Sequence, residues 1–445
     1  GDSQKKKKIG ERKNKKMGEL EKNPNPRYLI PDLLEEIFLE LPLKSIFKFK
    51  TVSKQWRWIL ESKMFAERRL KLQNQKKPKL LVVAGNHRRS ESRFEGGAEE
   101  EIEIVYIDCD DAARTPSLTC DGLVCIPVPG SVNVLNPSSG ELIRFPSGPD
   151  RVTGRYPSLF IDKKLWTIFP GFWSMGFGRD IVNRSYKVVR MFFYPAPYCE
   201  ILDVEIGEWR EVTPPPYKVE PKRKSAFVKG SVFWLECLTS DNVLALDLHT
   251  EEFRDVPFPP TTSKRNQLVN LKDRLALAIP YTDTTDQRIN IWILDKQEET
   301  WSMTYSIGLA YSGVAYHQHW NVWFRPVAVC EQGFVYFHDN ENRLFKYSPE
   351  TNKVGCIATE ICVVSDFVEN VVSLRPSAGS QTSEYQSGFH YQDLIHSQDQ
   401  LIHSQDHASQ RAQKFVWIKL PIPSILLTAL VSLFIFRYFA VSSGS

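Results

Sequence analysis

The sequence predicts a multidomain protein in which a small all-α unit of three helices precedes an all-β repeat domain. Apolar side chains recur at helical spacing over residues 27–70. From residue 80 to residue 374 the chain instead consists of short β-rich runs divided by glycine, proline, asparagine and aspartate. Five segments there share one arrangement at intervals of 44 to 67 residues, which is typical of a β-propeller of about six blades.

Composition limits the classes of protein to which the chain can belong. Its 445 residues exceed one typical domain, and 42% apolar residues are enough for a substantial core. The formal net charge is only +4, so we expect no nucleic-acid partner. The eight cysteines form no CxxC pair, and no apolar signal sequence opens the chain. These features predict reduced thiols in the cytoplasm, the nucleus or both.

The first 26 residues form a polar, basic tail that we expect to be disordered, because they can bury too little apolar surface to fold. Two interpretations of this tail stay open. One is a nuclear-import signal, and the other is a solvated tail without a specific role.

The helical unit, residues 27–72, contains signals for where its first helix starts and stops and for where its third helix starts. Pro31 suits a first helical position, and Pro42 cannot continue that helix. A second apolar stripe follows Pro42, and Ser53 is placed to cap a third helix that carries Trp56. Such a small unit cannot hide so many large apolar side chains, which predicts a docking face. The alternative is that the surplus packs against the rest of the same chain.

The order of residues 29–37, 41–46 and 52–56 resembles an F-box without a gap. It departs from the family pattern at Ile30, where leucine is usual, and at Ser53, where cysteine is common in plant members. The resemblance implies docking on a Skp-type adaptor, which bridges to the cullin and RING subunits of a ubiquitin ligase. The residues that it assigns to adaptor binding are Leu29, Ile30, Pro31, Leu33, Leu34, Ile37, Leu41, Pro42, Ser45, Ile46, Phe49, Val52, Ser53 and Trp56.

The repeat of the β domain, residues 80–374, is a hairpin. An apolar strand ends in a short polar residue that starts a turn, and an apolar residue six positions later is expected to pack into the core. The five pairs are Asn136 with Leu142, Asp203 with Trp209, Asp247 with Phe253, Asp295 with Trp301, and Ser348 with Val354.

Two further pieces, residues 80–107 and 361–374, are also strand-like. If they share one sheet, the ring closes with about six blades. The alternative is an open β-sandwich of similar strand content.

Within the β domain, residues 120–125, 134–137, 176–180, 186–190 and 200–210 resemble the F-box-associated domain of plant F-box proteins. That domain is a relative of kelch-repeat partners. The double glycine of kelch repeats is absent, and single glycines stand in its place.

The end of the chain differs in amino-acid composition from the β domain. Residues 377–414 are polar and contain a tandem duplication, so we expect a disordered linker. Residues 415–440 contain an uncharged apolar run, Leu420 to Phe436. Three interpretations stay open: a C-terminal membrane anchor, a segment that covers a propeller edge, and a tail encoded by a mis-assigned exon.

The sequence carries no phosphate loop, HExxH motif or GxSxG elbow. His317 and His319 could share one side of a strand, but no third metal ligand accompanies them. We therefore predict no catalytic residues, no metal and no cofactor.

The predicted function is a non-catalytic substrate receptor of a Skp–cullin–F-box ubiquitin ligase, which holds an unknown protein target near the ubiquitin-conjugating enzyme. One alternative is a binding adaptor without a role in ubiquitination, and another is a propeller enzyme. The predicted location is the cytoplasm, the nucleus or both, with tail-anchoring to an intracellular membrane as the alternative.

Overall fold

In the computed structural model the chain divides into two compact units between Leu60 and Glu61. The residues that the structure describes are 31–73, 79–83, 93–94, 102–107, 117–128, 131–146, 173–193, 196–220, 223–237, 242–259, 265–282, 287–295, 299–309 and 323–374. The predicted basic tail, the polar linker, the apolar C-terminal segment and the His317–His319 pair lie outside these residues and stay predictions.

Three helices form the described part of the first unit, namely α1 (Pro31–Leu39), α2 (Leu43–Phe49) and α3 (Lys54–Leu60). The capping role predicted for Ser53 is confirmed, because its hydroxyl accepts a hydrogen bond from the Trp56 N–H at 3.1 Å. The rings of Phe38, Phe49 and Trp56 pack together with centroids 5.1 to 6.2 Å apart. This aromatic cluster joins all three helices into one unit.

The sequence predicts three helices before the β domain, and the structure adds a fourth, α4 (Lys63–Gln73), which belongs to the second unit. Ser62 caps it by accepting a hydrogen bond from the Phe65 N–H at 3.1 Å. Its buried residues are Phe65, Ala66, Arg69, Leu70 and Gln73. These follow helical spacing, but an arginine and a glutamine interrupt the apolar stripe, and the apolar pattern therefore does not reveal the helix.

The second unit is a six-bladed β-propeller, which confirms the predicted fold class and excludes the open sandwich. Its strands are β1 (Lys79–Val83), β2 (Arg93–Phe94), β3 (Glu103–Ile107), β4 (Leu118–Cys120), β5 (Leu123–Val128), β6 (Ser131–Asn136), β7 (Glu141–Pro146), β8 (Trp173–Asp180), β9 (Ser185–Phe192), β10 (Tyr198–Asp203), β11 (Glu208–Val212), β12 (Ala226–Val228), β13 (Ser231–Leu235), β14 (Asn242–Asp247), β15 (Phe253–Pro257), β16 (Gln267–Leu271), β17 (Arg274–Thr282), β18 (Gln287–Asp295), β19 (Thr300–Gly308), β20 (Phe324–Val329), β21 (Val335–Asp339), β22 (Leu344–Ser348), β23 (Lys353–Thr359) and β24 (Cys362–Phe367).

Four of the six sheets take four strands each in chain order, as β4–β7, β8–β11, β12–β15 and β16–β19. A fifth contains β20–β23 with β2 added at its outer edge. The first strand of each sheet contacts the first strand of the next, from β4 through β8, β12, β16 and β20 to β24 and back to β4. These six strands therefore form the innermost ring around the propeller axis.

The ring closes in the sixth sheet, as the sequence predicts. β24, from the end of the domain, pairs antiparallel with β1, from its start, and β3 pairs parallel with β1. Leu81 lies opposite Ser365 in this register. Closure of this kind makes both ends of the domain necessary for the ring.

The five predicted hairpins are confirmed in register. Each later residue lies opposite the residue just before the polar anchor, as in Leu202 with Trp209 and Leu246 with Phe253. The Asp203 carboxylate accepts hydrogen bonds from the Glu205 and Ile206 N–H groups, as expected of a turn starter.

The prediction that these later residues pack into the core is confirmed for Trp209, Phe253, Trp301 and Val354. Val354 is buried, whereas Leu142, Trp209, Phe253 and Trp301 are half-buried. The reason is their place on the outermost strand of a sheet, where one side of the ring is open to solvent. Trp209 nevertheless packs against the core between its own sheet and the preceding one.

Candidate functional site

The structure divides the predicted adaptor-binding residues into two groups. Leu29 and Ile30 lie outside the described residues. Leu34, Leu41 and Ile46 are buried and hold the helical unit together. The exposed or half-buried members are Pro31, Leu33, Ile37, Pro42, Ser45, Phe49, Val52, Ser53 and Trp56. This second group contains the side chains that a partner could contact without unfolding the unit.

Two large apolar side chains of the helical unit face solvent. Leu33 is 51% exposed on α1, and Trp58 is 74% exposed on α3. Helical periodicity places Trp58 on the third helix but does not single it out for docking. Large exposed apolar side chains on a small helical unit are typical of a surface that binds another protein.

Helix α4 attaches to one particular face of the propeller. Glu67 forms ion pairs with Arg179 at 3.5 Å and with Arg184 at 3.4 Å. Lys63 pairs with Glu205 at 2.7 Å. Arg179 lies near the end of an innermost strand, and the other two residues lie in the turns after β8 and β10. The helix therefore lies on the face where the innermost strands end.

The Glu369 carboxylate fastens the last turn of α4 to the propeller. It accepts hydrogen bonds from Arg69 at 3.0 Å, Gln73 at 3.1 Å and Lys79 at 3.0 Å. Burial alone would raise the pKa of Glu369, but the charges of Lys79 and Arg69 outweigh it and lower the pKa. The carboxylate is therefore ionised at neutral pH and joins α4, β1 and the segment after β24.

The opposite face carries the starts of the innermost strands and the loops that join second to third strands. Lys224 lies just before β12, Gln267 begins β16, and Arg325 is the second residue of β20. Charged and amide side chains from separate sheets therefore meet at this end of the propeller axis. Sequence spacing gave no signal for this group, because its members are far apart in the chain and follow no motif.

The chemistry expected of enzymes has little support in the described residues. The Cys120, Cys125 and Cys199 side chains are buried, and burial raises the pKa of each thiol, which disfavours the nucleophilic thiolate. Histidine, cysteine, aspartate and glutamate form no group of three in this part of the chain that could hold a metal ion. The helices of the described part all fall short of the length and apolarity that a membrane span requires.

Comparison with known families identifies both units. The F-box domain matches residues 29–66, and the F-box associated beta propeller domain matches residues 73–358. The chain belongs to the F-box proteins that carry this propeller. Both resemblances found in the sequence are thereby confirmed, and F-box proteins with propeller domains are typically non-catalytic adaptors.

Several proteins of Arabidopsis thaliana are similar to this F-box protein over most of their length. An F-box/LRR-repeat protein is 46% identical over 378 residues, which cover 81% of this chain and 87% of that protein. An F-box protein is 45% identical over 377 residues, which cover 81% and 89%. An F-box/kelch-repeat protein is 44% identical over 380 residues, which cover 81% and 87%. A plant F-box protein therefore fits the chain, and its F-box implies binding to a Skp-type adaptor.

Proposed function

We propose that this F-box protein is the substrate-recognition subunit of a Skp–cullin–F-box ubiquitin ligase. Its F-box helices dock on the Skp-type adaptor, and its propeller holds the target. The observation that carries the proposal is the complete F-box motif, folded around Phe38, Phe49 and Trp56, with Leu33 left exposed. The chain contributes to this reaction by proximity and not by chemistry of its own. Holding the target near the charged conjugating enzyme raises the effective concentration of the target lysines.

The target-binding surface in this proposal is the propeller face opposite α4. The chain enters the propeller through α4, whose ion pairs with Arg179, Arg184 and Glu205 cover part of the face where the innermost strands end. The other face combines the starts of the innermost strands with the loops between the second and third strands. Loops on a rigid scaffold are where binding residues concentrate.

The adaptor-docking step is tested with Leu33→Asp, which places a charge on the exposed start of α1. We expect at least a tenfold loss of affinity for the purified Skp-type adaptor, because a carboxylate buried in an apolar interface loses its hydration. The helical unit should stay folded, since Leu33 is 51% exposed.

The matched control is Met303→Asp, which places the same charge at a 52% exposed apolar residue of the propeller. It should bind the adaptor like the wild type. Unchanged adaptor affinity in Leu33→Asp would contradict docking through the start of α1.

The non-ubiquitinating adaptor remains the second candidate, and the two candidates differ in whether cullin joins the complex. Co-purification of the full chain with adaptor, cullin and RING subunits supports the ligase. Recovery of the adaptor alone, under conditions where a known F-box protein recovers cullin, would favour the second candidate.

A further inference from the structure

A basic cluster lies at the end of the propeller axis where the innermost strands begin. Its centre is Lys224, whose ammonium donates a hydrogen bond to the Val364 carbonyl of β24 at 3.3 Å. Arg325 of β20 donates to the Gln267 side-chain oxygen of β16 at 3.3 Å. Within the described residues, neither cation has a carboxylate at ion-pair distance. Two positive charges are thus gathered without a direct counter-charge.

Both cations are half-buried near the propeller axis. Lys224 and Arg325 keep part of their surface accessible to solvent. Lys224 precedes β12 and Arg325 lies on β20, so they come from different blades and lie near the innermost strands that enclose the axis. This combination is expected of side chains that line a central channel.

The two charges disfavour each other. Burial, followed by the neighbouring Arg325 charge, lowers the pKa of Lys224 to about 7. Burial also lowers the pKa of Arg325 to about 10, and the charge of Asp366 on β24 opposes that shift only in part. A bound negative charge would stabilise both cations.

Two buried polar side chains in this part of the propeller lack partners. Asn266, directly before Gln267, is fully buried, and neither atom of its amide has a hydrogen-bond partner in the described part of the chain. His338 lies opposite Arg325 in register, and its Nε2 is also buried without a partner there. Unsatisfied groups of this kind are costly, and a ligand that gave the His338 Nε2 a donor would remove part of that cost.

The tautomer and charge of the His338 ring limit which kind of ligand can bind here. Its Nδ1 lies 3.2 Å from the Asp339 carbonyl, which requires the proton on Nδ1 and leaves Nε2 as an acceptor. Burial, followed by the Lys224 charge, lowers the pKa of His338 to about 3, so the ring is neutral. The cluster therefore presents cationic donors and one acceptor, which complement an anion that also carries a hydroxyl group.

We propose that Lys224, Arg325 and His338 form a binding site for a small oxyanion of the phosphate class. Hydrogen phosphate has anionic oxygens for the two cations and a hydroxyl group that can donate to a neutral imidazole. The Gln267 bond to Arg325 holds the guanidinium in position. The site belongs to the propeller alone and does not depend on adaptor docking.

The test uses the full chain and inorganic phosphate, with potassium chloride at matched ionic strength as the reference. We expect a saturable, phosphate-specific rise in Tm for the wild type and a dissociation constant that calorimetry can measure. Lys224→Met and Arg325→Met should each weaken phosphate binding at least tenfold. Lys353→Met, which removes the same charge from an exposed site on β23, should bind phosphate like the wild type.

Each variant is first compared with the wild type in chloride, so that a folding defect is separated from a binding defect. A channel that holds only water would give no phosphate-specific shift in the wild type, and this result would overturn the proposal. Full phosphate binding by Lys224→Met would overturn it as well. O-phosphoserine is a second probe, because tighter binding of it than of phosphate identifies a phosphorylated side chain as the source of the anion.

A pH series with Lys224→Arg isolates the role of the lysine. The charged and titratable groups that face Lys224 are Arg325 on β20, His338 on β21 and Cys362 on β24. Asp366 on β24 faces Arg325, and its pKa of about 6 lies below the pH range of the test. Between pH 7 and 9, phosphate affinity of the wild type should fall by roughly tenfold relative to Lys224→Arg, because lysine loses its proton and arginine keeps it. The comparison cancels the titration of phosphate itself, and identical pH profiles would contradict the assignment.

Discussion

A single carboxylate, Asp180, organises the turn after β8. One of its oxygens accepts hydrogen bonds from the Val182 and Asn183 N–H groups, both at 3.0 Å. The other accepts one from the Lys187 ammonium, also at 3.0 Å. Burial alone would raise the pKa of Asp180, but the hydrogen bonds from Asn183 and Lys187 outweigh it and lower the pKa to about 2. The ionised form is therefore the one that the fold stabilises.

At the residue scale we predict that Asp180→Asn lowers the free energy of unfolding by about 3 kcal/mol at pH 7, because buried Lys187 loses the more deeply buried of its two carboxylate partners. Urea unfolding measures this difference. The folded pKa of Asp180 lies below its unfolded value of about 3.9, so its contribution is complete above pH 4 and is lost as pH falls through 2.

The gap between the two proteins should therefore narrow between pH 4 and pH 2. A gap that stays constant over this interval would show that ionisation of Asp180 is not the source of its stabilising effect.

Residues of the adaptor-docking unit are predictable from sequence, whereas those of the basic cluster are not. The F-box residues lie within one short stretch, and the resemblance of that stretch to the F-box motif assigns them. Lys224 and Arg325 are 101 positions apart and lie at the starts of different blades, just before β12 and in the second position of β20. Only closure of the ring brings such residues together, and a single sequence contains no local trace of it.

Among the elements, the outermost strands are linked from sheet to sheet by their tryptophans. The Trp209 indole N–H donates to the carbonyl of Pro146, the last residue of β7 in the preceding sheet, at 3.0 Å. Trp301 repeats this bond to Pro257, the last residue of β15. The guanidinium of buried Arg190 lies 4.5 Å above the Trp209 ring and bonds to Glu200. Half-buried tryptophans thus connect neighbouring sheets as well as covering the core.

At the element scale we predict that Trp209→Phe destabilises the propeller by about 1 kcal/mol, because phenylalanine keeps the ring over Arg190 but leaves the Pro146 carbonyl without its donor. Trp301→Phe should have a similar effect, since its bond is equivalent. Chemical denaturation provides the measurement. Phe253→Leu is the control at the equivalent strand position, which has no donor to lose, and wild-type stability in both tryptophan variants would contradict the linking role.

The hairpins were predictable because their anchors and partners lie six residues apart, within reach of one turn. The partial exposure of Trp209 was not predictable, since sequence periodicity does not distinguish an inner strand from an outer one. Helix α4 was missed for a related reason. Arg69 of this helix is buried because it pairs with Glu369, which lies 300 residues later in the chain. Within the local sequence, its charge instead indicates a solvent-exposed position.

At the scale of the whole molecule, the segment after β24, residues 370–372, stabilises the closed ring through hydrogen bonds. Asn370 is fully buried, and its amide nitrogen donates to the Asp121 carbonyl at 2.9 Å and to the Tyr186 hydroxyl at 3.1 Å. In return, the Asn136 amide donates to the carbonyls of Asn370 at 3.0 Å and Val372 at 2.9 Å. The end of the domain is therefore bonded to the β4–β7 sheet and to the sheet after it.

We predict that Asn370→Ala lowers the free energy of unfolding by about 3 kcal/mol, because it leaves the Asp121 carbonyl and the Val372 N–H without their partners in a buried place. Urea unfolding followed by tryptophan fluorescence measures the loss. Thr351→Ala, in the exposed turn between β22 and β23, should leave stability within about 0.5 kcal/mol of the wild type.

The double variant with Asn136→Ala tests whether the two asparagines act as one lock. Both hold the same segment, residues 370–372, so the loss in the double variant should be smaller than the sum of the single losses by at least about 0.5 kcal/mol. Once either asparagine is removed, the segment can detach from the ring. The hydrogen bonds of the remaining asparagine then contribute less to the free energy of unfolding. Strictly additive losses would mean that each asparagine stabilises only its own sheet and that closure does not depend on their coupling.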